Sequence, residues 1–125
     1  MGKKIVFCSG GTGGHIFPAI NLINNLSSEN TIILVTDQRA VKYIDSTKYK
    51  VKILNVSSLS KNKLISNLIS LLKLFYSIFK SIFFLKKEKV DIILGFGGYV
   101  SFPILLSGKI LKKKIYLYEP NLVLG

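Results

Sequence analysis

Two glycine-rich turns constrain the fold of this chain more than any other feature of its sequence. The first is SGGTGGHIFP at residues 9–18 and the second is GFGGYVSFP at residues 95–103; each follows a short apolar segment and precedes a predicted helix. In an open parallel sheet, the turns after the first and fourth strands flank the crevice where such folds bind ligands. Backbone N–H groups at helix starts favour anions there. The pair of turns therefore predicts a backbone-lined site for a phosphorylated ligand.

Apolar segments alternate with helical segments along the chain. Short runs rich in Ile, Val and Phe are typical of strands buried on both faces. The predicted strands are Lys4–Ser9, Thr31–Thr36, Val51–Val56, Asp91–Leu94 and Ile115–Tyr118. The predicted helices are Pro18–Leu26, a short helix capped by Asp37 and ending near Ser46, Leu64–Leu85 and Val100–Leu111. We expect one α/β domain, a Rossmann-like parallel sheet with flanking helices and strand order 3-2-1-4-5.

The chain is strongly basic, with 18 basic against six acidic residues and a net charge of +12. Such a field attracts phosphates in nucleic acid, in lipid headgroups or in a sugar nucleotide, although compositional bias with solvated lysines explains it equally well. A single arginine, Arg39, argues against nucleic acid as a partner, because base-contacting surfaces use arginine and aromatic side chains. The lone Cys8 excludes a disulfide or a cysteine-based metal site within the chain. No metal and no cofactor are expected.

The helix predicted over Leu64–Leu85 is apolar over a wider arc than docking on a sheet requires. Lysines within it argue against a transmembrane span, since each costs roughly 2.5–3.5 kcal/mol near the bilayer centre. The polar residues recur every three or four positions and predict one narrow stripe: Ser66, Ser70, Lys73, Ser77, Lys80 and Ser81.

The surplus apolar side chains of this helix lie beside several lysines, a combination typical of anionic membrane surfaces. The residues predicted to meet the membrane are Leu72, Phe75, Phe79 and Phe83, with Lys73 and Lys80; Lys61, Lys63, Lys86, Lys87 and Lys89 lie nearby in the sequence. The alternative is a helix buried by another domain or partner.

Three polar residues are predicted at the carboxyl edge of the sheet. His15, the only histidine, opens the first helix, whose positive end disfavours imidazolium, so the ring could accept a proton; otherwise it caps its own loop. Glu119 and Asn121 follow the last strand and suit proton transfer and hydroxyl binding, or else form a turn. The first turn lacks the Lys-Ser/Thr ending of a P-loop and the last glycine of a dinucleotide fingerprint.

Three motifs together resemble one known family. GGTGGHIFPA at 10–19, DIILGFGGYVSFP at 91–103 and YEPN at 118–121 match, in order, motifs in the amino-terminal half of the MurG family of bacterial GlcNAc transferases. The third motif departs from the usual HEQN, with Tyr118 for His and Pro120 for Gln. The resemblance spans essentially the whole chain, but only the acceptor-side half of the enzyme.

The resemblance implies an inverting, metal-independent GT-B glycosyltransferase of peptidoglycan synthesis, with two Rossmann-like domains facing across a cleft. GlcNAc passes from UDP-GlcNAc to the C4 hydroxyl of the MurNAc unit of lipid I, at the cytoplasmic face of the plasma membrane. Residues 1–125 would form the acceptor and membrane domain, without the donor-binding carboxy-terminal domain, and alone would not transfer sugar. An alternative is a non-catalytic, membrane-recruiting subunit that pairs with a separate donor-binding chain.

By the same resemblance, the glycine turns hold the lipid-linked diphosphate. His15 is the implied catalytic base, with Glu119 next. The implied substrate-binding residues, besides His15, are Gly10, Gly11, Thr12, Gly13, Gly14, Gly97, Gly98, Tyr99 and Asn121.

Overall fold

Five parallel strands form one sheet in the computed structural model of the chain, which describes residues 2–26, 29–44, 49–54, 64–98 and 100–118. The strands are β1 (Lys4–Cys8), β2 (Thr31–Thr36), β3 (Lys50–Ile53), β4 (Ile92–Gly95) and β5 (Lys114–Leu117). Their order is β3-β2-β1-β4-β5, which confirms the predicted topology. The order reverses between β1 and β4, the strands that the two glycine turns follow.

The helices cover both faces of the sheet. They are α1 (Gly13–Asn24), α2 (Leu64–Glu88) and α3 (Ser101–Ile110), with a short 3₁₀ helix at Gln38–Tyr43. Right-handed crossovers to the left and right of β1 place α1 on one face and the pair α2 and α3 on the other. Asp37 caps the 3₁₀ helix as predicted, while the predicted end near Ser46 lies outside the described residues.

Alternate residues of the strands divide the core into two layers. Ile5 and Phe7 of β1 pack with Ile16 and Ala19 of α1. On the opposite face, the core cluster is formed by Val6, Cys8, Ile33, Val35, Leu54, Leu85, Val90, Ile93, Val100 and Ile104. Because β1 is buried on both faces, its carboxyl end is fixed in position, and the first glycine turn leaves the sheet from there.

Helix α1 begins five residues before the predicted start at Pro18, so that prediction was wrong. Thr12 has an extended backbone, and its carbonyl accepts the Ile16 N–H at 2.9 Å, the first hydrogen bond of the helix. Pro18 lies in the second turn and leaves the Gly14 carbonyl without its usual intrahelical donor. Gly14 is exposed, so water can satisfy that carbonyl. The first helical turn therefore lies inside the glycine-rich segment.

The predicted polar stripe of α2 is divided between the interior and the surface, which corrects the prediction of one polar face. Ser77 and Ser81 are buried, and the Ser81 hydroxyl donates to the Ser77 carbonyl at 2.7 Å. The Ser107 hydroxyl of α3 lies 3.1 Å from the carbonyl oxygen of Ile78. Small serines that bond to backbone carbonyls allow α2 and α3 to pack closely, whereas Lys73 and Lys80 are exposed. Part of the wide apolar arc of α2, including Leu85, lies in the core, and the rest of the arc points away from the sheet.

Candidate functional site

The two glycine turns touch each other at the carboxyl edge of the sheet. The Gly10 N–H donates to the Gly97 carbonyl at 2.8 Å. Gly97 and Gly98 have φ values of +94° and +89°, where residues with a side chain are strained. A Cβ added to Gly98 would lie 2.6 Å from the Gly10 Cα, so the backbones are in direct contact. The prediction that the two turns lie together at one crevice is confirmed. Their contact is possible because Gly10 and Gly98 have no side chain.

His15 lies in the first turn of α1 and is oriented by the second glycine turn. Its Nδ1 is 3.0 Å from the carbonyl oxygen of Phe96. A carbonyl oxygen only accepts, so Nδ1 carries the proton of this hydrogen bond. In the neutral ring, Nε2 then has a free lone pair, and the half-buried ring can take a proton from a bound hydroxyl. The hydrogen bond of the ring therefore goes to the second glycine turn and not to the loop of His15 itself.

The amino terminus of α1 presents unpaired donors to the same crevice. Among the described residues, the N–H groups of Gly13 and Gly14 have no acceptor, as expected for the first positions of a helix. Nothing lies within 4 Å of the position that a Cβ of Gly14 would occupy. Thr12 is exposed beside them. These groups, at the positive end of the helix dipole, form a cradle for an anion.

Ser101, a residue that the sequence analysis did not single out, supports the second turn. Its buried hydroxyl is 2.7 Å from the carbonyl oxygen of Gly97 and 3.0 Å from that of Cys8. It therefore links the turn to the end of β1. The sequence places Ser101 at the start of a predicted helix, three residues after the glycine pair, and this position could have indicated that its hydroxyl supports the turn. Burial raises the pKa of the Cys8 thiol to about 12, so this cysteine is not a nucleophile.

Asp37 and Arg39 hold the first turn from its other side. The Asp37 carboxylate accepts the Gly11 N–H at 2.9 Å, the Arg39 N–H at 2.9 Å and the Arg39 guanidinium at 2.8 and 3.1 Å. Burial alone would raise the pKa of Asp37, but the hydrogen bonds from Arg39 and Gly11 outweigh it, and the pKa lies below its usual range. The sequence predicted a capping role for Asp37 but not its contact with the glycine turn.

Three predicted site residues, Tyr99, Glu119 and Asn121, lie outside the described residues. Of the neighbouring residues, Phe96 stacks between Phe7, with ring centroids 5.7 Å apart, and Tyr118, at 5.2 Å. Within the described ranges, no group of three His, Cys, Asp or Glu side chains is placed to hold a metal ion.

Helix α2 presents a continuous apolar face to solvent, which we call the outer face. Its exposed fractions are 60% for Leu72, 53% for Phe75, 71% for Phe79 and 71% for Phe83. By length and composition, Asn67–Glu88 could cross a membrane, with a mean hydropathy of 1.8. The opposite side of the helix, however, packs on the sheet and on α3. The exposure of these four side chains, which the sequence predicted, is confirmed.

These features define an α/β domain with a glycine-lined crevice and a positioned histidine at the switch point of its sheet. Residues 5–125 match the glycosyltransferase family 28 N-terminal domain, and the chain belongs to that family. This match confirms the predicted Rossmann-like fold of a GT-B amino-terminal domain. It also confirms the resemblance to the MurG family, which individual relatives support.

Two relatives from different bacteria carry the same name. The Pelagibacter ubique protein called UDP-N-acetylglucosamine--N-acetylmuramyl-(pentapeptide) pyrophosphoryl-undecaprenol N-acetylglucosamine transferase is 42% identical over 125 residues, all of this chain and 35% of that protein. A Wolbachia protein of the same name, from the Culex pipiens strain, is 43% identical over 97% of this chain and 33% of its own length. The crystal structure of Acinetobacter baumannii MurG superposes with a TM-score of 0.83 at 25% identity, over 98% of this chain and 37% of that one. This chain thus spans about a third of its relatives' length.

Proposed function

We propose that this chain is the acceptor-binding part of an inverting hexosyltransferase. The enzyme transfers GlcNAc from UDP-GlcNAc to the C4 hydroxyl of the MurNAc unit of lipid I and makes lipid II for peptidoglycan. The observation that carries the proposal is the His15 ring, held by the Phe96 carbonyl where the two glycine turns meet. The name shared by the Pelagibacter and Wolbachia relatives supplies the donor and the acceptor.

The acceptor diphosphate is assigned to the glycine turns. The N–H groups of Gly13 and Gly14 have no acceptor among the described residues. Nothing lies within 4 Å of the position that a Cβ of Gly14 would occupy, so phosphate oxygens can approach the backbone there. The net charge of +12 adds a long-range attraction for an anionic substrate. Gly10 and Gly98 contribute by contact with each other, which fixes the distance between the two turns.

His15 is assigned as the general base. The C4 hydroxyl of the acceptor attacks the anomeric carbon of GlcNAc from the side opposite UDP, its proton passes to Nε2 of His15, and the carbon–oxygen bond to UDP breaks. UDP leaves with the bonding electron pair, and the configuration inverts. The Phe96 carbonyl keeps the proton of the ring on Nδ1 and orients Nε2. Glu119 stays the second candidate base and Asn121 a predicted contact to a sugar hydroxyl; Tyr99 stays a predicted substrate contact.

The outer face of α2 is assigned to the cytoplasmic surface of the plasma membrane. Four large apolar side chains stand exposed on one helix, and Lys73 and Lys80 are exposed beside them. Anionic headgroups attract such lysines, while the apolar side chains enter the interface. A peripheral enzyme held this way can reach an acceptor whose lipid stays in the bilayer.

The role of His15 is tested in a chimera in which this chain replaces the matching third of the Pelagibacter relative. His15→Asn keeps an N–H near the position of Nδ1, able to bond to the Phe96 carbonyl, but supplies no base. We expect kcat to fall about 10²- to 10⁴-fold with little change in KM for lipid I. Transfer by H15N within a few-fold of the parent chimera would contradict the assignment and move it to Glu119. Residues 1–125 on their own are expected to show no transfer.

A further inference from the structure

A groove of about 540 Å³ lies between α2 and the edge strand β3, at the margin of the outer face. Phe79, Phe83 and Phe84 of the helix supply an apolar part of its lining. Lysines line it from both sides, with Lys50 and Lys52 on the strand and Lys80 and Lys87 on the helix. The groove thus combines an apolar surface with a concentration of positive charge.

The strand lysines point to the face of the sheet that is apolar elsewhere. Lys50 and Lys52 pair in register with Ile33 and Val35 of β2, which belong to the core cluster beneath α2 and α3. At the edge strand, lysine side chains therefore occupy positions that face α2. Inward-pointing charges also protect an edge strand from pairing with other chains, so their presence alone does not define a ligand.

The charge in the groove is only partly neutralised. Glu88 pairs with Lys4 at 3.0 Å and with Lys50 at 3.6 Å. Lys52 has its Nζ 5.0 Å from the centre of the Phe84 ring, and Lys80 has its Nζ 5.3 Å from that of Tyr76. Within the described ranges, no carboxylate pairs with Lys52, Lys80 or Lys87. Three cations that no carboxylate of the described residues neutralises, beside an apolar lining, complement an anionic amphiphile.

We propose that this groove binds one anionic phospholipid. Its headgroup phosphate lies among Lys52, Lys80 and Lys87, and the first carbons of its chains lie on Phe79 and Phe83. The inference rests on the proposed membrane role of α2 for the source of the lipid. It goes beyond a general electrostatic attraction, because it assigns a defined site with part of its charge on β3, away from the helix that meets the membrane.

The test uses a soluble lipid, so that binding to the groove is separated from binding to a bilayer. Dihexanoyl-phosphatidylglycerol, kept below its micelle concentration, is titrated into the protein by calorimetry, with dihexanoyl-phosphatidylcholine and inorganic phosphate as comparison ligands. Lys52→Gln with Lys87→Gln should weaken binding about 25-fold, at about fivefold for each lysine. Lys112→Gln with Lys114→Gln, which removes the same charge at the opposite edge of the sheet, should leave binding unchanged.

If the variant with Lys52→Gln and Lys87→Gln binds the glycerol lipid as tightly as the parent does, the proposal is overturned. It is also overturned if the parent binds the choline lipid as tightly as the glycerol lipid. Binding of inorganic phosphate as tight as that of the lipid would also overturn it in favour of a simple anion site. If the double variant aggregates, Lys87→Gln alone leaves the edge strand intact and should still weaken binding about fivefold. Sedimentation of the parent with phosphatidylglycerol vesicles is measured in parallel. If the protein binds vesicles but not the soluble lipid, the groove site is refuted and the membrane role of the outer face stands. If it binds neither, both proposals are refuted.

Discussion

Gly98→Ala tests the contact between the two glycine turns most sharply. At a φ of +89° an alanine is strained by about 1–3 kcal/mol. Its Cβ would lie 2.6 Å from the Gly10 Cα and 2.9 Å from the Gly10 nitrogen, so the turns must separate. That movement weakens the 2.8 Å hydrogen bond from Gly10 to Gly97, at a further cost of about 1 kcal/mol. We expect a total loss of about 2–4 kcal/mol in the free energy of unfolding.

Gly14→Ala is the matched control, since it makes the same chemical change at the same crevice. Nothing lies within 4 Å of the added Cβ, and the residue is helical, so the folded state should gain up to about 1 kcal/mol. The two variants are compared with the parent chain by urea unfolding, which gives the free energy of unfolding, and by thermal unfolding, which gives the Tm. Gly98→Ala should lower the Tm by about 10 °C, whereas Gly14→Ala should not lower it. Equal stability of Gly98→Ala and the parent would refute the close approach of the turns.

Two further predictions concern charge. The Asp37 carboxylate stabilises the fold through Arg39 and Gly11; this stabilisation should be complete above the ordinary pKa of Asp and should disappear as the pH falls through the lowered pKa of the folded state. Asp37→Asn should therefore make the free energy of unfolding depend less on pH in the acid range. An unchanged slope would contradict the role of the Asp37–Arg39 pair. Lys73→Glu with Lys80→Glu should abolish most sedimentation with anionic vesicles; unchanged sedimentation would remove these lysines from the membrane face.

The sheet and the meeting of the turns could be predicted from the sequence because both follow from chain order. Each glycine turn follows a strand buried on both faces, and right-handed crossovers allow few arrangements of five such strands. Once β1 and β4 are neighbours, Gly10 and Gly97 necessarily come close. His15 was placed correctly at the start of the first helix for the same reason, although its partner, the Phe96 carbonyl, depends on backbone positions that no sequence pattern reports.

The errors arose where a local rule had a tertiary exception. Pro18 was taken as the first turn of α1, yet proline is tolerated one turn later because the Gly14 carbonyl faces solvent. Ser77 and Ser81 were predicted as members of one polar stripe together with Lys73 and Lys80, but a serine that bonds to the carbonyl four residues back is small enough for a helix interface. The contact of Asp37 with Gly11 joins residues from separate strand ends, and spacing in the sequence did not reveal it.

We propose that the two glycine turns together bind the diphosphate of a lipid-linked sugar. A soluble, short-chain analogue of lipid I, titrated into the ¹⁵N-labelled protein, tests it through the amide resonances of Gly13, Gly14 and Gly98. We predict that the resonances of both turns shift along one saturating curve and that an analogue without the diphosphate shifts neither. Shifts that spare either turn, or that are equal for the analogue without diphosphate, would contradict the claim.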